Sequence, residues 1–314
     1  MMWFWLSIIT LLCWSGSDLF SKIGCADSKD KYSHFKMVMA VGVVMGLHAC
    51  YEIFIGGVEI SWNVILTYLP VSLLYILSMA MGYLGLRYIE LSISSPICNA
   101  SGALVAVTAI LTGGESYPPL VLIAVGAVCV GVIGLGVVEA REDEELRAAR
   151  QEQGNWKYSK SWLALALPIA YCILDAAGTF ADSVVLGQIE SIVAAVGVDS
   201  DYEASANVAY ELTFLISGIV SAIWVLLVKR DKLVAKVEGP KYVGAIFETA
   251  GQFAYIYAIA DEEHLAMSAP IISAYCVASV LWSRIFLKEK LSRKHYLMVL
   301  LVIIGIVIMG VFDV

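Results

Sequence analysis

The chain has 314 residues, of which 60% are hydrophobic and only 15% are charged, with a mean hydropathy of +0.81 and a net charge of −8. Because a soluble domain carries about 25% charged residues, this composition has too few charges to cover a water-facing surface. Nothing in the sequence resembles a basic nucleic-acid-binding arm, so we expect no nucleic-acid partner. The seven cysteines are scattered without CxxC or metal-ligand spacing, and we expect no metal, cofactor or disulfide framework.

Continuous apolar runs of about 20 residues follow one another along the chain, the length that crosses a hydrocarbon core as a helix. They do not alternate with period two, which argues against a transmembrane β-barrel. The first run begins without a basic segment, so we expect no cleaved signal peptide. The predicted spans are 3–21, 35–55, 62–86, 93–112, 119–139, 161–186, 207–228, 241–260, 264–287 and 295–312. The sequence therefore predicts an all-α membrane protein with ten transmembrane helices.

The positive charges divide the connections between these spans into two sets. All 20 Lys and Arg residues fall in the odd-numbered connections or within four residues of one, and five lie in the long hydrophilic connector at 140–160. The even-numbered connections and both termini carry no Lys or Arg, and acids such as Glu59, Glu190 and Asp313 collect there instead. Since cytoplasmic loops are enriched in Lys and Arg, we expect the connector to be cytoplasmic and both termini to lie outside the cytoplasm of a plasma or inner membrane.

The second half of the sequence resembles the first. The segment ELSISSP ending at Pro96 matches HLAMSAP ending at Pro270, and at the same offset of 174 residues Glu115 meets Glu289 and Gly131 meets Gly305. An odd number of spans per repeat forces the two halves to insert with opposite topology, as in many secondary transporters. We therefore predict a first five-helix repeat at 1–139, a cytoplasmic connector at 140–160 and a second repeat at 161–314.

This duplicated order, the Ser-x-Pro openings of spans four and nine, and the segment FLKEKLS followed by IIGIVIMG resemble the drug/metabolite transporter superfamily, specifically EamA-type transporters. The resemblance covers nearly the whole chain. It implies ten helices around a central cavity and transport by alternating access, without naming a substrate. One departure is that family members usually have cytoplasmic termini and a basic tail, whereas this chain ends in GVFDV.

Carboxyl groups inside the apolar runs are the candidate functional groups, because an acid at the bilayer centre costs about 2.5–3.5 kcal/mol on insertion scales. Asp175 and Glu248 lie near the centres of spans six and eight, and Asp18 and Asp182 are further proton-coupling candidates. The alternative for each is a protonated carboxyl in an interhelical hydrogen bond, worth about 1 kcal/mol. Glu52 and Glu211, near outer span ends, could reach the lipid headgroups and are interpreted as structural rather than functional groups. His48 lies one turn before Glu52, so a pair between these two side chains is an alternative.

Aromatic and polar residues accompany these acids. Glu248, Gln252 and Tyr255 share one face of span eight, and Tyr171 lies one turn before Asp175 on span six. The remaining predicted substrate-binding residues are Trp14, Asn99 and Tyr275. An acid together with several aromatic faces binds ammonium groups well. Ordinary helix packing is the alternative role for any one of these aromatic side chains.

These features favour a secondary transporter for a small organic cation or amine-bearing metabolite, with protons as a candidate coupling ion. The alternatives are an exporter of amino acids or other neutral metabolites and, in another class, a membrane-embedded enzyme or scaffold. An enzyme is disfavoured, because the sequence has no HExxH or GxSxG motif and its four histidines are dispersed. The expected partners are a small-molecule substrate, H⁺ and the lipid bilayer, and the sequence leaves monomer and homodimer open.

The charge distribution gives a direct test of orientation. A reporter fused at Val314 should report an extracytoplasmic location and one inserted at Gln151 a cytoplasmic location, because the connector carries five of the basic residues and the last span is followed by none. A cytoplasmic Val314 contradicts this orientation but leaves the number of helices untouched.

Overall fold

A computed structural model describes residues 2–27, 29–88, 91–112, 117–140, 162–196, 201–288 and 291–312. These ranges are helical, and no strand occurs in them. The first half contains α1 (Met2–Cys25), α2 (Ser33–Tyr51), α3 (Trp62–Tyr88), α4 (Leu91–Cys98), α5 (Ser101–Thr112) and α6 (Pro119–Ala140). The second half contains α7 (Trp162–Val196), α8 (Tyr202–Ala222), α9 (Ala235–Ile259), α10 (Leu265–Ser273), α11 (Tyr275–Trp282) and α12 (Arg293–Phe312).

Eight segments of the described chain are long and apolar enough to cross a membrane. Two predicted spans are outside this group. The helix α9 has Glu248 and Gln252 in its middle, and α12 begins with Arg293, Lys294 and His295, which shorten its apolar part. The all-helical membrane architecture is thus confirmed, while ten crossings and the inverted repeat stay predictions. Most of the predicted connector and the pair Glu115 and Glu289 lie outside the described residues.

The predicted spans four and nine are each interrupted. The helix is interrupted between α4 and α5 at Asn99 and Ala100, and between α10 and α11 at Ala274. Pro96 and Pro270 lie inside the helices just before these breaks. Near the first break the Ser95 carbonyl accepts from both the backbone N–H and the side-chain amide of Asn99, at 3.0 and 2.8 Å. The spans therefore contain short irregular segments inside the protein.

Helices of the first half pack mainly on helices of the second. The helix α1 packs on α9, α3 on α7, α2 on α8, α5 on α10, and α6 on α12. Glycines permit the closest of these contacts. A Cβ at Gly42 of α2 would lie 2.8 Å from the Gly218 Cα of α8, and a Cβ at Gly131 of α6 would lie 2.3 Å from a Val302 methyl of α12. Gly305 of α12 faces a Val128 methyl of α6 in the same way, with 2.6 Å to a Cβ built there.

One end of the helix bundle is held by an ionic cluster that we call the Asp30 cluster. The Lys36 ammonium lies 2.9 Å from Asp30, 3.2 Å from Asp231 and 3.5 Å from Glu238. The Lys241 ammonium lies 3.1 Å from Asp30 and 2.9 Å from Glu238. Except for Asp231, these residues are buried. The cluster ties the α1–α2 connection to the beginning of α9.

The pKa of Asp30 shows how strongly the cluster holds this carboxyl. Burial alone raises the pKa, but the hydrogen bonds from Lys36 and Lys241 outweigh it and bring the pKa below its usual range. A carboxyl with a lowered folded-state pKa stabilises the fold above its unfolded pKa of about 3.9. That contribution is lost as the pH falls through the lower folded-state value.

Lys241→Met should lower the free energy of unfolding by about 3 kcal/mol, because it leaves Asp30 and Glu238 buried with one ammonium fewer. Lys236→Met, at an exposed position one turn before it, is the matched control and should stay within about 0.5 kcal/mol of the parent chain. Denaturant unfolding in detergent measures both. Equal stability of the two variants contradicts a structural role for the cluster.

Candidate functional site

A central cavity of about 940 Å³, including the part that is open to the outside, lies between the two halves of the chain. Side chains from both halves line it. All eight predicted substrate-binding residues are among the lining side chains, namely Trp14, Asn99, Tyr171, Asp175, Glu248, Gln252, Tyr255 and Tyr275. The structure thus brings together residues up to 261 positions apart in sequence. Their roles in binding stay a prediction.

Three carboxyls face this cavity: Asp18 of α1, Asp175 of α7 and Glu248 of α9. Asp18 accepts hydrogen bonds from the Ser95 and Ser279 hydroxyls at 2.5 and 2.8 Å. Asp175 accepts one from the Ser101 hydroxyl at 2.7 Å. None of the described residues that line the cavity is Lys, Arg or His, so the carboxyls have hydroxyl partners and no lining cation.

Aromatic rings form much of the wall beside the carboxyls. The Trp14 ring lies 5.0 Å from the Tyr255 ring and 5.8 Å from the Tyr275 ring, measured between centroids. Glycines hold two of the rings close to a neighbouring helix. A Cβ at Gly251 would lie 2.4 Å from the Trp14 ring, and one at Gly82 would lie 2.9 Å from the Tyr171 ring.

Three buried side-chain donors of the lining have no hydrogen-bond partner among the described residues. They are Trp14 Nε1, Gln252 Nε2 and the Tyr83 hydroxyl. Since buried donors are nearly always paired, these three groups are available to water or to a bound molecule. The polar part of the lining therefore offers acceptors and donors together.

Asp182, a predicted proton-coupling residue, lies behind the cavity and does not line it. It is fully buried, at 0% exposure. The Tyr75 hydroxyl donates to Asp182 Oδ2 at 3.3 Å and lies 2.5 Å from the Tyr255 hydroxyl. Both phenol hydroxyls also lie within hydrogen-bond distance of Thr179 Oγ1, at 3.2 Å.

The two outer acids both lie beside His48. Glu211 is fully buried and accepts from Asn207 at 3.2 Å, so the contact with lipid headgroups that its position allowed does not occur. Its carboxylate lies 2.8 Å from His48 Nδ1, whereas Glu52 lies 3.6 Å from His48 Nε2. Close packing of α2 on α8 encloses Glu211 between the helices. None of these side chains lines the central cavity.

Several residues that line the central cavity were not predicted from the sequence. Tyr75, Thr179 and Tyr210 lie on the same cavity wall as the predicted side chains. Thr179 continues the face of α7 that carries Tyr171 and Asp175, so helical periodicity indicated it. Tyr75 carries no such signal, because α3 contains no acid to mark its inward face.

A separate group of three side chains lies at the connection before α10. The ligand atoms of Asp261, Glu263 and His264 lie within 4.8 Å of one another, and none of the three is buried. Exposed acids commonly cluster without an ion, so this group supports no metal assignment.

Comparison with known proteins identifies the second half most clearly. Residues 203–311 match the family model described as EamA-like transporter family. This part of the chain is EamA-like. The match extends from the start of α8 into α12 and confirms the resemblance to EamA-type transporters of the drug/metabolite transporter superfamily.

The fold is shared with a solved structure. A solved chain described as "Crystal structure of protein" superposes with a TM-score of 0.61 over 98% of this chain and 95% of its own, at 12% sequence identity. That likeness shows the fold alone. Comparison with curated proteins finds no match in sequence. The match over residues 203–311 and the apolar helices support a multi-pass membrane transporter of small molecules.

Gly251→Ala should displace the Trp14 ring, because the new methyl group has no room beside it. We expect a loss of about 1–3 kcal/mol in the free energy of unfolding and a change in tryptophan fluorescence. Gly126→Ala is the matched control, since nothing lies within 4 Å of a Cβ there and Ala favours a helix interior over Gly by about 0.5–1 kcal/mol. A Gly251→Ala protein as stable as Gly126→Ala contradicts the packing described here.

Proposed function

We propose that this protein is a secondary transporter that moves a small organic cation or amine-bearing metabolite by alternating access, with proton coupling. The observation that carries the proposal is the charge of the central cavity. Asp18, Asp175 and Glu248 face one space, and none of its described lining residues is basic. An anionic substrate would meet repulsion there, whereas a cation would be attracted.

The magnitudes favour an exchange between protons and a cationic substrate. An ionised carboxylate at membrane depth without a partner costs several kcal/mol. A carboxyl avoids this cost either by binding a proton or by meeting a cation. Entry of an ammonium group would release the proton, and departure of the ammonium group would restore it. This competition couples the proton flux to the substrate flux.

The aromatic wall fits the same substrate class. The rings of Tyr255 and Tyr275 each lie within 6 Å of the Trp14 ring, and all three line the cavity with the carboxyls. A ring face contributes about 0.5–2 kcal/mol to binding of a cation, depending on how completely the site is desolvated. A neutral amino acid would use the unpaired donors of Trp14 and Gln252, but it would leave the excess of carboxyls unexplained.

The proposal includes ten crossings arranged as two inverted repeats, 1–139 and 161–314, joined by a cytoplasmic connector at 140–160, with both termini outside the cytoplasm. The packing supports it. In two inverted repeats, α1 corresponds to α7, α2 to α8, α3 to α9 and α6 to α12. A symmetric arrangement then requires that α7 packs on α3 if α1 packs on α9, and both pairs are observed. The pairs α2–α8 and α6–α12 each join a helix to its own counterpart, as the same symmetry allows. The breaks at Ala100 and Ala274 follow the two repeated prolines at the same offset of 174 residues.

Asp175→Asn and Glu248→Gln should each abolish binding of cationic probes while the protein stays folded. Each change removes a negative charge from the cavity and keeps the size of the side chain. Thermal-shift titration of the purified protein with a series of primary amines and quaternary ammonium ions measures the loss, which we expect to exceed tenfold in affinity, or about 1.4 kcal/mol.

Glu190→Gln is the matched control, because Glu190 is exposed and lies outside the cavity lining. It should bind the probes like the parent chain. Normal binding by both cavity variants, or an anion as the tightest ligand of the series, contradicts the proposed function.

A further inference from the structure

The buried carboxyl of Asp182 has an environment unlike that of the cavity acids. It is enclosed at 0% exposure on α7, about two turns beyond Asp175. One oxygen, Oδ2, accepts from Tyr75, and the other, Oδ1, has no hydrogen-bond partner among the described residues. A buried carboxylate with an unpaired oxygen is costly, whereas a protonated carboxyl needs no counter-charge.

The groups that face Asp182 from the neighbouring helices are phenols. They are Tyr68 and Tyr75 of α3, Tyr210 of α8 and Tyr255 of α9. On its own helix, Thr179 and the more distant Asp175 lie on the same side. In the described part of the chain, no ammonium, guanidinium or imidazole is among them. Proton binding is therefore the means by which this carboxyl can be neutralised in place.

A continuous row of hydroxyls joins Asp182 to the cavity. Tyr255 lines the cavity, its hydroxyl lies 2.5 Å from that of Tyr75, and the Tyr75 hydroxyl donates to Asp182. A phenol hydroxyl donates one hydrogen bond and accepts others, so it can receive a proton on one side while it gives up its own on the other. Thr179 Oγ1 lies 3.2 Å from both phenol hydroxyls, so it is placed to hold them side by side.

We propose that Asp182 is a proton-binding site distinct from the carboxyls of the cavity, and that the hydroxyls of Tyr255 and Tyr75 carry the proton between it and the cavity. Thr179 is the positioning residue for the two phenols. At each link one O–H bond breaks and another forms, and the carboxyl alternates between COOH and COO⁻ without any change in oxidation state. The proposal deepens the proton coupling of the proposed function.

Infrared difference spectroscopy during a pH titration of the purified full-length protein tests the proton site without any substrate. We expect a C=O stretching band of a protonated carboxyl that is present in the parent chain and missing from Asp182→Asn, which keeps the shape of the side chain. A band pattern unchanged in Asp182→Asn overturns the site. Asp182→Glu, which restores a carboxyl, should restore a shifted band, and its failure to do so in a folded protein also counts against the site.

The relay is tested by the rate at which this band responds to a rapid pH change. Tyr75→Phe removes the hydroxyl and keeps the ring, and we expect the rate to fall about tenfold, equivalent to about 1.4 kcal/mol on the barrier. Tyr68→Phe is the matched control, because Tyr68 faces the same carboxyl but does not line the cavity. Its rate should equal that of the parent chain.

Equal rates in Tyr75→Phe and Tyr68→Phe overturn the relay, and unfolding temperatures verify that both variants are folded. The experiment contains no transported cation. A failure of the Asp175 and Glu248 variants to affect cation binding would therefore contradict the proposed function and leave this result standing, so the two proposals fail independently.

Discussion

The interior of this protein is governed by the cost of placing carboxyls where water is scarce. Asp18, Asp175 and Glu248 converge on one cavity, and each would cost several kcal/mol if it were ionised and unpartnered in an apolar medium. Serine hydroxyls from other helices meet two of them directly. Because these hydroxyls come from segments distant in sequence, stabilising the carboxyls requires the two halves of the chain to pack around one centre.

The broken helices follow from the same requirement for satisfied polar groups. A break in a membrane-spanning helix exposes backbone groups that lipid cannot pair, and it is tolerated only inside protein or beside a cavity. Both breaks occur next to lining residues, Asn99 at one and Ser273 at the other. There the Asn99 amide pairs with a backbone carbonyl of its own segment. The irregular segments thus place polar side chains of the breaks in the cavity lining.

Periodicity and composition predicted the helical membrane architecture, because long apolar runs leave few other ways to satisfy the backbone. The stripe of Glu248, Gln252 and Tyr255 on α9 was recognised from spacing alone, and all three side chains line the cavity. Contacts between different helices could not be predicted from the spacing of residues within one helix. Tyr75 and its partners are more than 100 residues apart, and no pattern within α3 marks its inward face.

The burial of Glu211 is another feature that the sequence pattern of a single helix did not predict. Its position near an outer span end allowed contact with the lipid headgroups. The close approach of Gly42 and Gly218 instead brings α2 against α8, and the carboxylate is enclosed beside His48. Depth along a helix can be estimated from sequence. The rotation of that helix toward a partner depends on small residues in both helices, and one sequence does not reveal which glycines meet.

Two buried groups of acids in this chain differ in the kind of partner that they have. The carboxylate of Asp30 is met by the ammonium groups of Lys36 and Lys241, which hold its pKa low despite burial. Such an acid keeps its charge, and losing it would leave the ammonium groups buried without a counter-charge. Asp182 has only hydroxyl partners among the described residues. Since a hydroxyl can donate to a carboxylate or accept from a carboxylic acid, this acid can gain and lose a proton without losing its partner. The type of partner therefore separates an acid suited to holding helices together from one suited to exchanging protons.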